Sequence, residues 1–208
     1  MKANLASEQE IEVKFYLRHP HRLRRILHAA GARKVAARVH EINLRFDFPD
    51  GHLTREHRVL RLRRDSRAVL TYKGPSDPQQ PVSMRQEIEV VVADFTATRH
   101  LLEALGLQVS VMYEKKRTTY ALGSVHVMLD EMPYGIFCEI EGPDAESIRR
   151  AAETLGLNWD ARVTVSYLAL FERVRLQHHL DIANLTFEGF AGLEISPADL
   201  GVQPADEG

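Results

Sequence analysis

Three Glu-Ile-Glu triplets stand in this chain: Glu10-Ile11-Glu12, Glu87-Ile88-Glu89 and Glu139-Ile140-Glu141. Successive side chains of an extended strand point to opposite faces, so each triplet is apolar on one side and doubly acidic on the other. Carboxylates at i and i+2 stand ~7 Å apart at strand rise and repel each other. A chain that does this three times has cations to place beside those acids. The first triplet brings one of its own, since Lys14 shares the face of Glu10 and Glu12.

The same sorting runs through the other strand-like stretches. Arg61 and Arg63 alternate with Leu60 and Leu62, and Thr71 and Lys73 with Leu70 and Tyr72. Arg85, Glu87 and Glu89 alternate with Ile88 and Val90, and Lys115 and Arg117 face away from Thr118 and Tyr120. Asp130 faces away from Val125, Val127 and Leu129, as do Glu139 and Glu141 from Cys138 and Ile140. One arrangement that satisfies this pattern is an open sheet with its charged face in water. Solvated faces, however, usually mix in Thr, Ser, Gln and Asn. Here nearly every such position is fully charged and the signs cluster by strand. The fold class expected is α+β: a closed antiparallel barrel turned inside out, with a charged wet lumen and helices over its apolar exterior. Closure also removes exposed strand edges.

Strands are expected at 9–17, 35–48 (one strand or a pair), 59–64, 68–73, 84–92, 109–122, 125–129 and 136–140. Helices are expected at 20–30, 94–105, 144–155 and 167–176, with Gly31, Gly106 and Gly156 as stops for the first three. Residues 74–81 carry Pro75, Pro78 and Pro81 and read as a loop. Each triplet strand is followed by a helix and a glycine stop, a weak repeat of irregular period. The domain is expected to span 1–176. Periodicity fades over 177–208, where a partly ordered or disordered extension is expected.

Twenty-seven basic against 29 acidic residues give a formal net charge of −2, which argues against a polyanion-coating surface and hence a nucleic-acid duplex as partner. No apolar run approaches the ~18 residues of a membrane span, and no secretion leader is visible. The one cysteine, Cys138, rules out an internal disulfide and fits a reducing, cytoplasmic setting. The histidines lack the paired spacing of a zinc site. Guanidinium forks from several strands suit phosphate oxygens, and clustered carboxylates suit hard divalent cations. Together they suit a metal–polyphosphate complex in one cavity. A Gly-rich phosphate loop ending in Lys-Ser/Thr is absent.

In chain order the motifs are Glu10-Ile11-Glu12-Val13-Lys14, Leu60-Arg61-Leu62-Arg63, Leu70-Thr71-Tyr72-Lys73-Gly74-Pro75, Arg85-Gln86-Glu87-Ile88-Glu89-Val90, Lys115-Lys116-Arg117, Leu129-Asp130-Glu131 and Phe137-Cys138-Glu139-Ile140-Glu141-Gly142. Over residues 8–173 the chain resembles the CYTH domain, the triphosphate tunnel metalloenzymes, which include class IV adenylate cyclases and thiamine and inorganic triphosphatases. The late Ser166-Tyr167 ahead of an apolar helix is similar to the closing element of that family. The resemblance implies an antiparallel barrel of about eight strands forming a tunnel, with Mg²⁺ or Mn²⁺ as cofactor. It implies Glu10, Glu12, Asp130, Glu139 and Glu141 as metal ligands. It implies Lys14, Arg61, Arg63, Lys73, Arg85, Lys115 and Arg117 as contacts to a triphosphate, and Lys14, Glu10 and Glu12 as the catalytic group. Glu87 and Glu89 are placed in the lumen, either on a second metal or holding the arginines. Arg45 stands where relatives commonly carry Tyr, so a tyrosine-assisted proton transfer is not carried over; Arg45 adds a phosphate contact or points outward.

The function expected is metal-dependent hydrolysis of inorganic triphosphate or of a small nucleoside or thiamine triphosphate. The alternatives are cyclisation of ATP to cyclic AMP and pyrophosphate, and non-catalytic polyphosphate or nucleotide binding. Both halves of the barrel come from one chain, so an oligomer is possible but not required for the site. Lys116 is expected to point away from the lumen and Cys138 to lie in the core.

Overall fold

The computed structural model describes residues 8–75 and 82–207. The loop expected at 74–81 therefore lies largely outside the described residues. In chain order the elements are β1 (Glu8–Leu17), α1 (Pro20–Ala29), β2 (Arg33–Asp47), α2 (His52–Arg55), β3 (Val59–Arg64), β4 (Ala68–Lys73), β5 (Ser83–Val92), α3 (Phe95–Ala104), β6 (Gln108–Leu122), β7 (Val125–Met132), β8 (Gly135–Glu141), α4 (Ala145–Thr154), a 3₁₀ turn (Trp159–Ala161), β9 (Arg162–Val163), α5 (Tyr167–Gln177) and α6 (Pro197–Leu200). Residues 33–47 form one long strand rather than two. The sheet runs β5-β4-β3-β2-β6-β7-β8-β1-β9, and β5 also pairs with β1, so eight antiparallel strands close into a ring. Among the described residues no helix is long and apolar enough to cross a membrane.

The main apolar core lies outside the ring, as the alternation dictates. Val13, Phe15, Val127, Leu129, Cys138 and Ile140 point outward and pack under α1 and α4 through Leu23, Leu27, Ile148 and Ala152. Pro20 opens α1, and Leu23 and Leu27 at i and i+4 are buried. The Asp144 carboxylate accepts from the Ser147 amide at 2.7 Å and starts α4. A smaller cluster seats Leu102 of α3 on Leu44, Phe46 and Leu62; Asp94 caps that helix, accepting from the Ala97 amide at 2.9 Å.

A third cluster lies on the lumen side. Tyr16, Met132 and Phe137 continue the faces that carry Lys14, Asp130 and Glu139, and they pack with Tyr134, Leu170, Phe171 and Val174. Helix α5 thus fills part of the lumen. Phe137 stands edge-on to Tyr16, Tyr134 and Tyr167 at centroid distances of 5.3, 5.9 and 5.1 Å.

Residues 178–207 hold more order than their weak periodicity suggested. Leu185, Phe190 and Leu200 are buried against α5 and its neighbours. Leu185 exchanges backbone hydrogen bonds with Met112 and Glu114. Ala205 donates to the Tyr16 carbonyl at 2.9 Å, and the buried Asp206 carboxylate accepts from the Arg18 and His19 amides at 2.8 and 2.6 Å. The segment is held by scattered anchors, not by a repeating face, which is why no period announces it.

Candidate active site

Closure of the ring makes neighbours of the three triplets. β1 lies between β5 and β8, with Glu10 opposite Arg85, Glu12 opposite Glu141 and Lys14 opposite Glu139. Across the ring stand β2, β3 and β6, which bring Arg45, Arg61, Arg63, Lys115 and Arg117. One wall is therefore mainly acidic and the facing wall mainly basic. Between them is a cavity of about 810 Å³. Of the residues expected at the site, Glu10, Glu12, Lys14, Arg61, Arg63, Lys73, Arg85, Lys115, Arg117, Glu139 and Glu141 all line it, as do Glu87, Glu89 and Arg45. Arg45 faces the lumen, not the exterior. Lys116 lies outside, its ammonium 4.2 Å from the Phe187 ring centroid.

Asp130 is the exception. It is fully buried and does not form part of the cavity wall. Arg117 grips it with Nε and a terminal nitrogen, each at 2.6 Å, Lys115 donates at 3.1 Å, and the Tyr167 hydroxyl donates at 3.0 Å. Both oxygens are committed to holding cations of the basic wall, which is a different job from holding a metal at the surface of the cavity.

The acidic wall is itself laced with cations. Lys73 pairs with Glu10 and stands 3.3 Å from Glu87, and Arg85 bonds Glu10 at 3.2 Å. Lys14 pairs with Glu12 and stands 3.8 Å from Glu139, which also accepts from Arg117 at 2.8 Å. Burial alone would raise the Glu10 carboxyl, but Lys73 and Arg85 outweigh it and hold the group at about 2. Burial, with the Glu10 charge alongside, pushes Glu87 up to about 7. Glu139 is driven the other way, well below the usual range, because Arg117, Lys14 and Lys115 outweigh its burial.

Glu141 differs from the rest. Among the described residues it has no ion pair. Burial and the charges of Glu10, Glu139 and Glu12 raise its carboxyl to about 6. A half-buried carboxylate among three others, all hard oxygen donors, is the donor chemistry that Mg²⁺ or Mn²⁺ takes. As the side chains stand, no group of three or more His, Cys, Asp or Glu among the described residues has metal-holding geometry; Glu10, Glu12 and Glu139 face Lys and Arg instead. The residue types fit a divalent cation, and binding one requires those carboxylates to exchange ammonium and guanidinium partners for it.

Several residues in or behind the cavity wall were not among the expected site residues. Glu41 is 1 % exposed, with Lys115 at 3.7 Å and Arg63 at 3.9 Å. Asn43 is buried with both amide atoms unsatisfied. Tyr113 lines the cavity, and Thr71 donates to Glu89 at 2.7 Å. Alternation carried the signal: Glu41, Asn43 and Arg45 share a face of β2, and Tyr113 shares one with Lys115 and Arg117. Thr54, His57 and Arg58 add a polar patch from the β2–β3 connection. Asp47 fixes that connection by accepting from the Phe48, Leu53 and Thr54 amides at 2.8, 2.8 and 2.9 Å.

Comparison with known proteins agrees with this fold. A candidate adenylate cyclase from Vibrio parahaemolyticus superposes with a TM-score of 0.71 at 19% identity, covering 80% of this chain and 99% of that one. A protein from Pyrococcus horikoshii gives 0.66 at 25% identity, with 77% and 98% covered. A candidate adenylyl cyclase from Hippeastrum, described as having a dominant triphosphatase activity, gives 0.59 at 20% identity, with 78% and 95% covered. No curated protein matches the sequence. The CYTH domain matches residues 8–162, three quarters of the chain, and the protein is a member of the CYTH domain family.

Proposed function

We propose that the cavity binds the triphosphate of a small substrate together with Mg²⁺ or Mn²⁺ and hydrolyses it. The observation that carries this reading is the pair of facing walls, carboxylates on β1, β5 and β8 against guanidinium and ammonium groups on β2, β3 and β6. A linear polyanion fits along the basic wall, with Arg45, Arg61, Arg63, Lys115 and Arg117 neutralising its oxygens. Glu10, Glu12, Glu139 and Glu141 would hold the metal, which offsets phosphate charge and acidifies a water when bound. Asp130 and Tyr167 keep Arg117 and Lys115 aimed inward. Lys14 lies beside Glu12 and Glu139 and would turn its charge to a phosphate oxygen once those carboxylates are engaged elsewhere. As the terminal phosphoryl departs, charge shifts to the bridging oxygen, where fixed cations act without reorganising. Such catalysis rests on positioning and needs no dedicated nucleophile.

A product assay tests the reading. Orthophosphate release from tripolyphosphate, ATP or thiamine triphosphate in the presence of Mg²⁺ or Mn²⁺ is the expected result. Cyclic AMP with pyrophosphate from ATP would assign cyclisation instead. Metal-dependent binding of all three without turnover would make the chain a binding module.

A further inference from the structure

The net charge of −2 conceals a division of charge along the chain. Residues 13–40 contain eight Lys and Arg and no Asp or Glu, whereas residues 176–208 contain six Asp and Glu and no Lys or Arg. Lys14 of the first segment serves the cavity, and none of its other seven cations lines that wall. The fold already brings the far ends of the two segments together. Glu207 stands 3.0 Å from Arg18, and Arg22 donates to the Asp206 carbonyl at 3.2 Å. The rest of both segments keeps charge facing outward. Arg25 on α1 and Arg33 on β2 are exposed, as are Asp181, Glu188 and Glu194. Among the described residues none of these five has an ion pair.

The two surfaces border one another on the outside of β2 and β6. His40 and Lys116 are register partners, and the Phe187 ring lies against both, 5.9 Å from the His40 ring centroid and 4.2 Å from the Lys116 ammonium. The Phe187 amide donates to the Glu114 carboxylate at 2.9 Å, and His40 stands 3.5 Å from the same group. On one side of this seam, Arg38 of β2 and Arg24 of α1 share the Glu131 carboxylate at 2.7 and 3.5 Å. One acid thus serves two guanidinium groups, and α1 continues the basic surface of β2. On the other side, the exposed Glu188 follows Phe187 directly and begins the acidic surface.

A basic surface bordered by an acidic one is self-complementary. A two-fold axis through the border sets each half against the opposite half of a second copy. A long free polyanion is a poorer match, because the acidic half repels what the basic half attracts. We propose that the protein pairs with a second copy of itself across the seam at His40, Lys116 and Phe187, the α1–β2 surface of each protomer facing the acidic C-terminal segment of the other. Exposed ion pairs contribute little individually and are screened by salt, so the association is weak and salt-sensitive. The cavity is complete within one chain, so this pairing stands or falls apart from the triphosphate reading.

Sedimentation equilibrium of the whole protein tests it at an ionic strength of about 0.01 M, where the screening length is ~30 Å, and of about 1 M, where it is ~3 Å. The expected result is a dimer at low salt whose dissociation constant rises by about tenfold or more at high salt. Two charge-reversed proteins are compared with it, Arg25→Glu with Arg33→Glu, and Asp181→Lys with Glu188→Lys. Each alone is expected to be monomeric at low salt, because its two surfaces then carry the same sign. An equimolar mixture of the two is expected to dimerise, because each reversed surface meets its opposite. Mixing cannot repair a damaged fold, so recovery in the mixture reports surface charge alone. A wild-type monomer at low salt, a dimer indifferent to salt, reversed proteins that still dimerise alone, or a mixture that stays monomeric each overturns the proposal.

Discussion

Asp130 separates a metal ligand from a residue that positions cations, and Asp130→Asn tests which it is. Three donors, from Lys115, Arg117 and Tyr167, converge on one carboxylate oxygen, and the Arg117 Nε meets the other. An amide keeps the shape but loses the charge, and its NH₂ must face at least one of those donors. Breaking a buried ion pair costs about 3–5 kcal/mol. The low end applies, because Arg117 keeps Glu139 at 2.8 Å and Lys115 keeps Glu41 at 3.7 Å. A loss of about 3 kcal/mol corresponds to a fall in Tm of roughly 9 °C for a domain of this size. Urea unfolding followed by circular dichroism measures it. Tripolyphosphate affinity should fall as well, since Arg117 and Lys115 lose their orientation, while divalent-cation affinity should fall less than in Glu12→Gln. A stability loss under about 1 kcal/mol refutes the buried-network reasoning. A metal affinity that falls further in Asp130→Asn than in Glu12→Gln restores Asp130 as a ligand.

Glu12→Gln should lower turnover by on the order of 10²–10³-fold with unchanged circular dichroism, as deletion of a preorganised group does; near wild-type rates would remove Glu12 from the metal site. Glu141 has a folded-state carboxyl raised to about 6 from 4.5, so the native state binds its proton first and loses stability as pH rises through that window. Glu141→Gln should therefore raise Tm at neutral pH, with the gain fading as pH falls through the same range, and thermal melts across pH would expose a gain that stays constant. Asp206→Ala leaves the Arg18 and His19 amides without their acceptor and should cost about 2 kcal/mol. Hydrogen exchange should speed at those two amides first, and unchanged protection there would show that the C-terminal segment does not fasten to β1.

Much of this site was legible because it obeys a local rule. Period-two alternation placed Arg61, Arg63, Lys115 and Arg117 on lumen faces without any knowledge of their partners. The rule was applied only where charge was conspicuous, so Glu41, Asn43 and Tyr113 were passed over although they occupy the same faces. Depth is a different matter. Nothing in Leu129-Asp130-Glu131 shows that Asp130 lies behind the cavity wall, because that depends on Tyr167 arriving from α5 and on Arg117 reaching across from β6. Order in residues 178–207 was hidden for a related reason. Its anchors, Leu185, Phe190, Leu200 and Asp206, are spaced by the path over the barrel rather than by any helix or strand period.

The three triplets also show how a single strand can build the fold and the site together. In β1 and β8 the central isoleucine is buried in the core outside the ring, Ile11 at 9 % and Ile140 at 0 % exposure, while the flanking glutamates face inward. Burial of those side chains, worth about 1.5–3 kcal/mol each, holds like charges together that an isolated sheet would push apart. β5 is built less firmly. Ile88 is 41 % exposed, and Glu87 is the acid displaced furthest upward of the three strands, to about 7. The readily protonated carboxyls of the wall are thus Glu87 on β5 and Glu141 on β8, beside the fixed charges of Glu10 and Glu139. A divalent cation held on the β1–β8 side would lie where the carboxylates are most firmly fixed. That leaves Glu87 and Glu89 to adjust to Lys73 and Arg61, the partners they already face.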